Sequence, residues 1–125
     1  MTLLLVAVAG GIGAGARFVV DAFVARHNPF RVPLGTLLIN ISGSFVLGVL
    51  TGWVIYGGGG DTARQLKTVL GTGLCGGYTT FSTASVESVR LWIAEGTSRG
   101  VAYAALTLVG SVAAAGLGLA VGALL

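Results

Sequence analysis

The sequence predicts an all-α membrane protein of four transmembrane helices, the third broken in mid-membrane. Composition is the first observation behind this. The chain of 125 residues is 54% hydrophobic and only 9% charged, whereas soluble domains carry about 25% charged residues. A chain this short cannot hide such an apolar excess in a soluble core, and disorder needs the opposite balance. The second observation is the placement of charge. Met1–Ala16, Val32–Gly60, Thr68–Val86 and Gly100–Leu125 contain no Asp, Glu, Lys or Arg. The third is glycine, 22 residues without a Gly-X-Y period, which suits helices packed closely in lipid.

A spanning helix needs about 20 mostly apolar residues, which places four spans at roughly 2–25, 33–56, 66–92 and 99–124 of a single transmembrane domain. The first has no Lys or Arg ahead of its apolar run, as a signal peptide would need, so a retained span is expected. Pro33 opens the second, where a first turn tolerates proline. Gly57–Gly60 closes it as a flexible loop. Trp53, Tyr56 and Trp92 fall near span ends, where aromatic rings favour the lipid–water interface. In the third span Gly76-Gly77 precedes a dense Ser/Thr run, Tyr78-Thr79-Thr80-Phe81-Ser82-Thr83-Ala84-Ser85. That makes a poor continuous helix and predicts the break. Broken backbone at that depth must be buried in protein or line a cavity; its freed carbonyls suit a cation and its freed N–H groups an anion.

The pairs Gly11/Gly15, Gly48/Gly52, Gly73/Gly77 and Gly118/Gly122 are each spaced GxxxG, a pattern that serves packing within a subunit and between subunits alike. Almost no chain lies outside the spans, so function is expected within the membrane and oligomerisation is the default. Arg26, Arg31, Arg90 and Arg99 fall on one side, and Arg64, Lys67 and the N-terminal amine on the other. That bias is small enough to permit insertion in both directions.

Polar residues in lipid usually face a partner or a pathway. Thr36, Asn40 and Ser44 are spaced i, i+4, i+8 on one helix face, as are Tyr103, Thr107 and Ser111. Asn40 serves either as glue between helices or as a donor on a polar track. The Tyr103 stripe is either a ladder of rotatable donors or a helix interface. Arg17 and Asp21 lie one turn apart and either pair or leave Arg17 facing a vestibule that attracts anions. Glu87 lines a water path or reaches the interface. His27 reads as a solvated loop residue, and Cys75, the lone cysteine, as a small packing residue. A glycine-rich turn at Gly10–Gly15 superficially suggests dinucleotide binding, but no acidic residue lies between Asp21 and Asp61 and no α/β alternation follows. Without a basic stripe interleaved with aromatics, nucleic acid is not an expected partner. Without a nucleophile–base pair or metal-ligand cluster, neither is catalysis.

The stretches Gly10–Arg17, Gly35–Asn40 and Gly76–Thr83 resemble those of the Fluc (CrcB) fluoride channels, and the likeness covers nearly the whole chain in length, layout and motif order. The resemblance implies an antiparallel dual-topology homodimer in the bacterial inner membrane, with two pores passing fluoride and conferring resistance to it. It implies a structural Na+ at the dimer centre, held by backbone carbonyls of Gly76 and Thr79. Asn40 and Phe81 match the pore residues, with Ser82 and Thr83 in the same motif. Tyr103, Thr107 and Ser111 match the polar track, with Thr36 alongside, and Arg17 and Glu87 match the vestibule arginine and the acidic position. One position departs: the family pattern has a second Phe where this chain has Ala84. A heterodimer with a related subunit that supplies the ring is the alternative assembly. Two other readings are a small four-helix multidrug transporter, which would want a carboxylate in the middle of the first span, and a structural membrane subunit without transport.

Overall fold

Charge-free stretches become helices, and the charged clusters mark their ends. The computed structural model describes residues Met1–Leu125. Helix α1 (Thr2–His27) and α2 (Leu34–Tyr56) are followed by a bent third stretch. That stretch runs as α3 (Asp61–Lys67), π-helical turns over Thr68–Cys75, a single turn α4 (Gly76–Tyr78) and then α5 (Phe81–Glu95). Helix α6 (Thr97–Gly122) ends the chain, and no strand occurs. Helices α1, α2 and α6 are each long and apolar enough to cross a membrane. Only 22 of the 125 residues are buried, while Phe18, Phe23, Ile93, Leu108, Val112 and Leu117 stand exposed on the outer faces. Such surfaces are stable only in hydrocarbon, so the chain is a multi-pass membrane protein.

The break comes in the expected span but not at the glycines. Gly76 is helical at φ −63° and ψ −38°, and the chain extends only at Thr79 (ψ 160°) and Thr80 (φ −150°, ψ 127°). The glycines instead permit close approach: a side chain on Gly77 would run into the Gly10 carbonyl of α1, and one on Gly73 into Val6 and Ala9. The third stretch also begins earlier than expected, at Asp61. Pro33 sits just before α2, as its N-cap, rather than within the first turn.

The tightest packing joins α2 to α6. Gly48 and Gly52 lie against the carbonyls of Ala115 and Leu119, while Gly118 and Gly122 lie against those of Phe45 and Val49. Two GxxxG pairs therefore grip each other reciprocally. Gly11 and Gly15 have no heavy atom within 4 Å of where a Cβ would stand, so that pair serves nothing inside the subunit. At one end of the bundle Arg31 meets Glu95 at 3.9 Å, joining the first and third loops. At the other, Gln65 donates to Thr2 Oγ1 at 3.3 Å. Gly96 turns α5 into α6 with φ 102°, a conformation that L side chains rarely adopt. A small core of Leu37, Leu91 and Tyr103, backed by Val32, Leu34 and Ile41, lies near the first and third loops.

Candidate ion pathway

The site grows from the break. Breaking a helix frees N–H and C=O groups that must find partners in the low-dielectric interior. Asn40 supplies two: its Nδ2 donates to the Thr80 carbonyl and its Oδ1 accepts from the Thr80 N–H, both at 2.8 Å. The amide thus pairs with Thr80 as a neighbouring strand would. One Nδ2 hydrogen remains uncommitted. Thr80 in turn caps α5, its Oγ1 accepting from the Thr83 N–H at 3.2 Å while donating to Thr83 Oγ1 at 3.1 Å. Ser82 Oγ lies 3.5 Å from the same hydroxyl. Thr79 Oγ1 donates to the Cys75 carbonyl at 2.9 Å.

A groove of about 610 Å3 runs along this break, between α5 and α6. Asn40, Gly76, Thr79, Thr80 and Phe81 line one part of it, and Thr107 and Ser111 line another. No charged side chain enters it. Phe81 is 86% exposed, its ring projecting from the subunit beside the exposed Gly76. The hydroxyls of Thr107 and Ser111 are buried and make no hydrogen bond. Burial without a partner costs about 1–3 kcal/mol per group, so these are donors held in reserve.

The remaining expected residues lie outside the groove. Thr36 is buried at 2% exposure. Tyr103 is committed: its hydroxyl donates to the Pro33 carbonyl at 2.9 Å and lies 3.3 Å from Glu87 Oε2. Glu87 lines a second cavity of about 340 Å3 with Arg31, Arg90 and Glu95. That cavity forms a charged mouth beside the first and third loops. Arg17 does not pair with Asp21. It reaches across to the Thr79 carbonyl at 3.4 Å, while Asp21 packs against Gly35 at the start of α2. Ser82 and Thr83 belong to the cap of α5 rather than to the groove wall.

Ser85, the last residue of the expected Ser/Thr run, lines the groove, and so does Ser88, which the sequence reading did not single out. Their spacing of four and seven from Phe81 on one helix face was the available signal. Both hydroxyls donate to their own helix, Ser85 to the Phe81 carbonyl at 2.9 Å and Ser88 to the Ala84 carbonyl at 2.7 Å. They therefore present lone pairs to the groove, opposite in sense to Thr107 and Ser111. Ser44, expected on the Asn40 face, also lines the groove.

No cluster of His, Cys, Asp or Glu side chains gathers for a metal. Carbonyls are the relevant donors. The Thr80 N–H that would close a helical turn on the Gly76 carbonyl is spent on Asn40, leaving Gly76 without that donor at an exposed position. The Thr79 carbonyl has only the long contact from Arg17. These two oxygens are the least satisfied backbone acceptors at the break.

The sequence model of the family described as CrcB-like protein, Camphor Resistance (CrcB) matches residues 4–119. The chain is 46% identical over 122 residues to a protein of Cutibacterium acnes named Fluoride-specific ion channel FluC 2, covering 98% of each chain. It is 46% identical over 128 residues to Fluoride-specific ion channel FluC 1 of Leifsonia xyli subsp. xyli, covering 99% of this chain and 88% of that one. It is 43% identical over 119 residues to a FluC 1 of Geobacillus kaustophilus, covering 95% and 96%. With a match this long, and relatives this similar over their whole length, the chain belongs to the CrcB family.

Proposed function

We propose that the chain is a passive fluoride channel of the bacterial inner membrane. The observation that carries this is the pair of buried, unpartnered hydroxyls of Thr107 and Ser111 in an uncharged groove, in a chain whose relatives are named fluoride-specific ion channels. Fluoride is small and tightly hydrated, so a pathway must replace its water with donors. Thr107, Ser111 and the spare N–H of Asn40 supply them. The positive rim of the Phe81 ring faces an anion without a fixed charge. The absence of a cation in the groove keeps binding weak enough for release. The charged mouth of Arg31, Arg90, Glu87 and Glu95 gathers ions, and Tyr103 joins Glu87 to α2 there. Thr36 backs this region, and Arg17 steadies the Thr79 carbonyl. A negative interior drives an anion outward by about 2.3 kcal/mol per 100 mV, so conduction alone gives export and fluoride resistance.

Two copies in opposite orientations complete the site. The open groove, the exposed Phe81 and the weak charge bias support an antiparallel dual-topology homodimer. Carbonyls of Gly76 and Thr79 from both copies would hold a structural Na+, which neutralises the oxygens gathered at the centre. Ala84, together with relatives named FluC 1 and FluC 2, supports a second assembly in which a related subunit is the partner. Reconstitution into vesicles with a fluoride electrode tests the proposal. Efflux of fluoride and not of chloride is expected. No flux from this chain alone, restored by a co-reconstituted relative, selects the heterodimer. No flux in either case overturns the channel.

A further inference from the structure

The charged mouth at the end of α5 holds groups that no contact inside the subunit satisfies. Glu87, Arg90, Leu91 and Glu95 are spaced i, i+3, i+4, i+8 on one face of α5, and Arg31 and Pro33 close the cavity of about 340 Å3 from the first loop. Two arginines face two carboxylates there, so the formal charges balance. Their pairing is incomplete. Arg90 makes no ion pair. The Glu95 side chain is only 26% exposed, yet its nearest cations are Arg31 at 3.9 Å and Arg99 at 4.0 Å, beyond hydrogen-bond length. A simple anion in this cavity would meet the repulsion of both carboxylates, and a simple cation that of both arginines. A zwitterion satisfies one guanidinium and one carboxylate together.

Depth in the membrane says which zwitterion. Helix α5 leaves the mid-membrane break at Phe81 and ends at Glu95. At about 1.5 Å per residue, Arg90 lies about 14 Å along it from Phe81, and Glu95 about 21 Å. The hydrocarbon half-thickness is about 15 Å, and the headgroups begin there. Arg90 therefore sits at the level of lipid phosphate. Glu95 sits just outside it, where the ammonium of an ethanolamine headgroup follows the phosphate. The C-terminal end of α5 adds partial negative charge beside that ammonium. Val86, Val89 and Ile93, exposed on the same helix, offer the acyl chains an apolar surface. We infer that this cavity seats the headgroup of an amino-phospholipid, its phosphate between Arg31 and Arg90 and its ammonium on Glu95. The inference needs only the membrane position of α5, not the identity of the conducted ion.

The test offers the full chain, purified in detergent and stripped of lipid, an equimolar mixture of phosphatidylethanolamine, phosphatidylcholine and phosphatidylglycerol with identical acyl chains. Native mass spectrometry then reads the lipid retained. Choline keeps the phosphate and the positive charge but has no N–H donor, while glycerol keeps the phosphate and has no cation. Phosphatidylethanolamine should be retained about fivefold over either, as expected of one exposed charge pair. Glu95→Gln should abolish that preference, and Arg90→Gln should lower phosphatidylethanolamine retention by about the same factor. Arg64→Gln, which removes a cation at the opposite end of the bundle, should leave the preference in place. Equal retention of the three lipids by the unaltered chain overturns the site, and that comparison needs no variant to fold. A preference for phosphatidylglycerol overturns the zwitterionic ligand. So does a preference that survives Glu95→Gln, retention that survives Arg90→Gln, or a preference lost in Arg64→Gln. Displacement of the bound lipid by an equal concentration of glycerophosphoethanolamine, the headgroup without its chains, overturns a lipid as the occupant.

Discussion

Thr107 and Asn40 separate two kinds of polar residue in lipid. Asn40 satisfies backbone; Thr107 satisfies nothing within the subunit. Their substitutions should therefore move stability in opposite directions. Thr107→Val replaces an unpartnered hydroxyl by a methyl of similar shape, so thermal unfolding in detergent should show a gain of about 1 kcal/mol. Fluoride efflux should fall about tenfold or more, because a donor to a charged species is lost. A variant that is more stable and less active identifies a functional group, and a less stable variant would mark Thr107 as a packing residue. Asn40→Ala strands the Thr80 N–H and carbonyl and should cost about 2 kcal/mol or more, read by the same unfolding measurement. Asn40→Asp keeps an acceptor for the Thr80 N–H but turns an oxygen on the Thr80 carbonyl and adds negative charge. Efflux should then be lost outright.

At the scale of elements, glycine spacing says where helices can meet but not which helices do. The four GxxxG pairs are indistinguishable in the sequence. In the fold, Gly48/Gly52 and Gly118/Gly122 bring α2 and α6 into backbone contact, Gly73/Gly77 bring the third stretch onto α1, and Gly11/Gly15 touch nothing. Gly118→Val would drive a side chain into the Phe45 carbonyl and should destabilise by about 2 kcal/mol or more. Gly11→Ala meets open space and should leave the isolated subunit unchanged or more stable by up to about 1 kcal/mol. A thermal shift in detergent checks both. The helices themselves were legible because their cause is local: uncharged runs bounded by charge. The third-span break was legible from its Ser/Thr run, but not its seat at Thr79–Thr80 or the π-helical turns before it. Those are fixed by partners far along the chain, Asn40 for Thr80 and α1 for the glycines. The same holds for the site. Asn40 and Thr107 were readable as polar residues on helix faces, whereas Phe81 stood out only through the resemblance of its motif. Neither the commitment of Asn40 to Thr80 nor the reach of Arg17 to Thr79 follows from spacing along one helix.

For the whole molecule, the groove poses the deciding question, because one subunit leaves it open. Exposed Phe81 and the freed Gly76 carbonyl lie on its rim, and polar backbone facing lipid is costly. In the proposed dimer a second copy would cover that rim. The charge pattern bears on which way the copy points. The ends tied by Arg31 and Glu95 carry Arg26, Arg31, Arg90 and Arg99 against Asp and Glu at the same end, while Arg64 and Lys67 mark the other. So slight an excess gives the insertion machinery little to read. If both orientations are made, a reporter at one loop must appear on both sides of the membrane. His27, exposed at the end of α1, provides the position. In a chain first cleared of its buried thiol by Cys75→Ala, His27→Cys should react with an impermeant maleimide to about half completion in intact cells, and fully once the membrane is opened. Labelling that is complete or absent in intact cells means a single orientation. The proposed pair of grooves would then have to close by a parallel arrangement, and the proposed carbonyl site of Gly76 and Thr79 would lose the symmetry axis meant to bring its oxygens together.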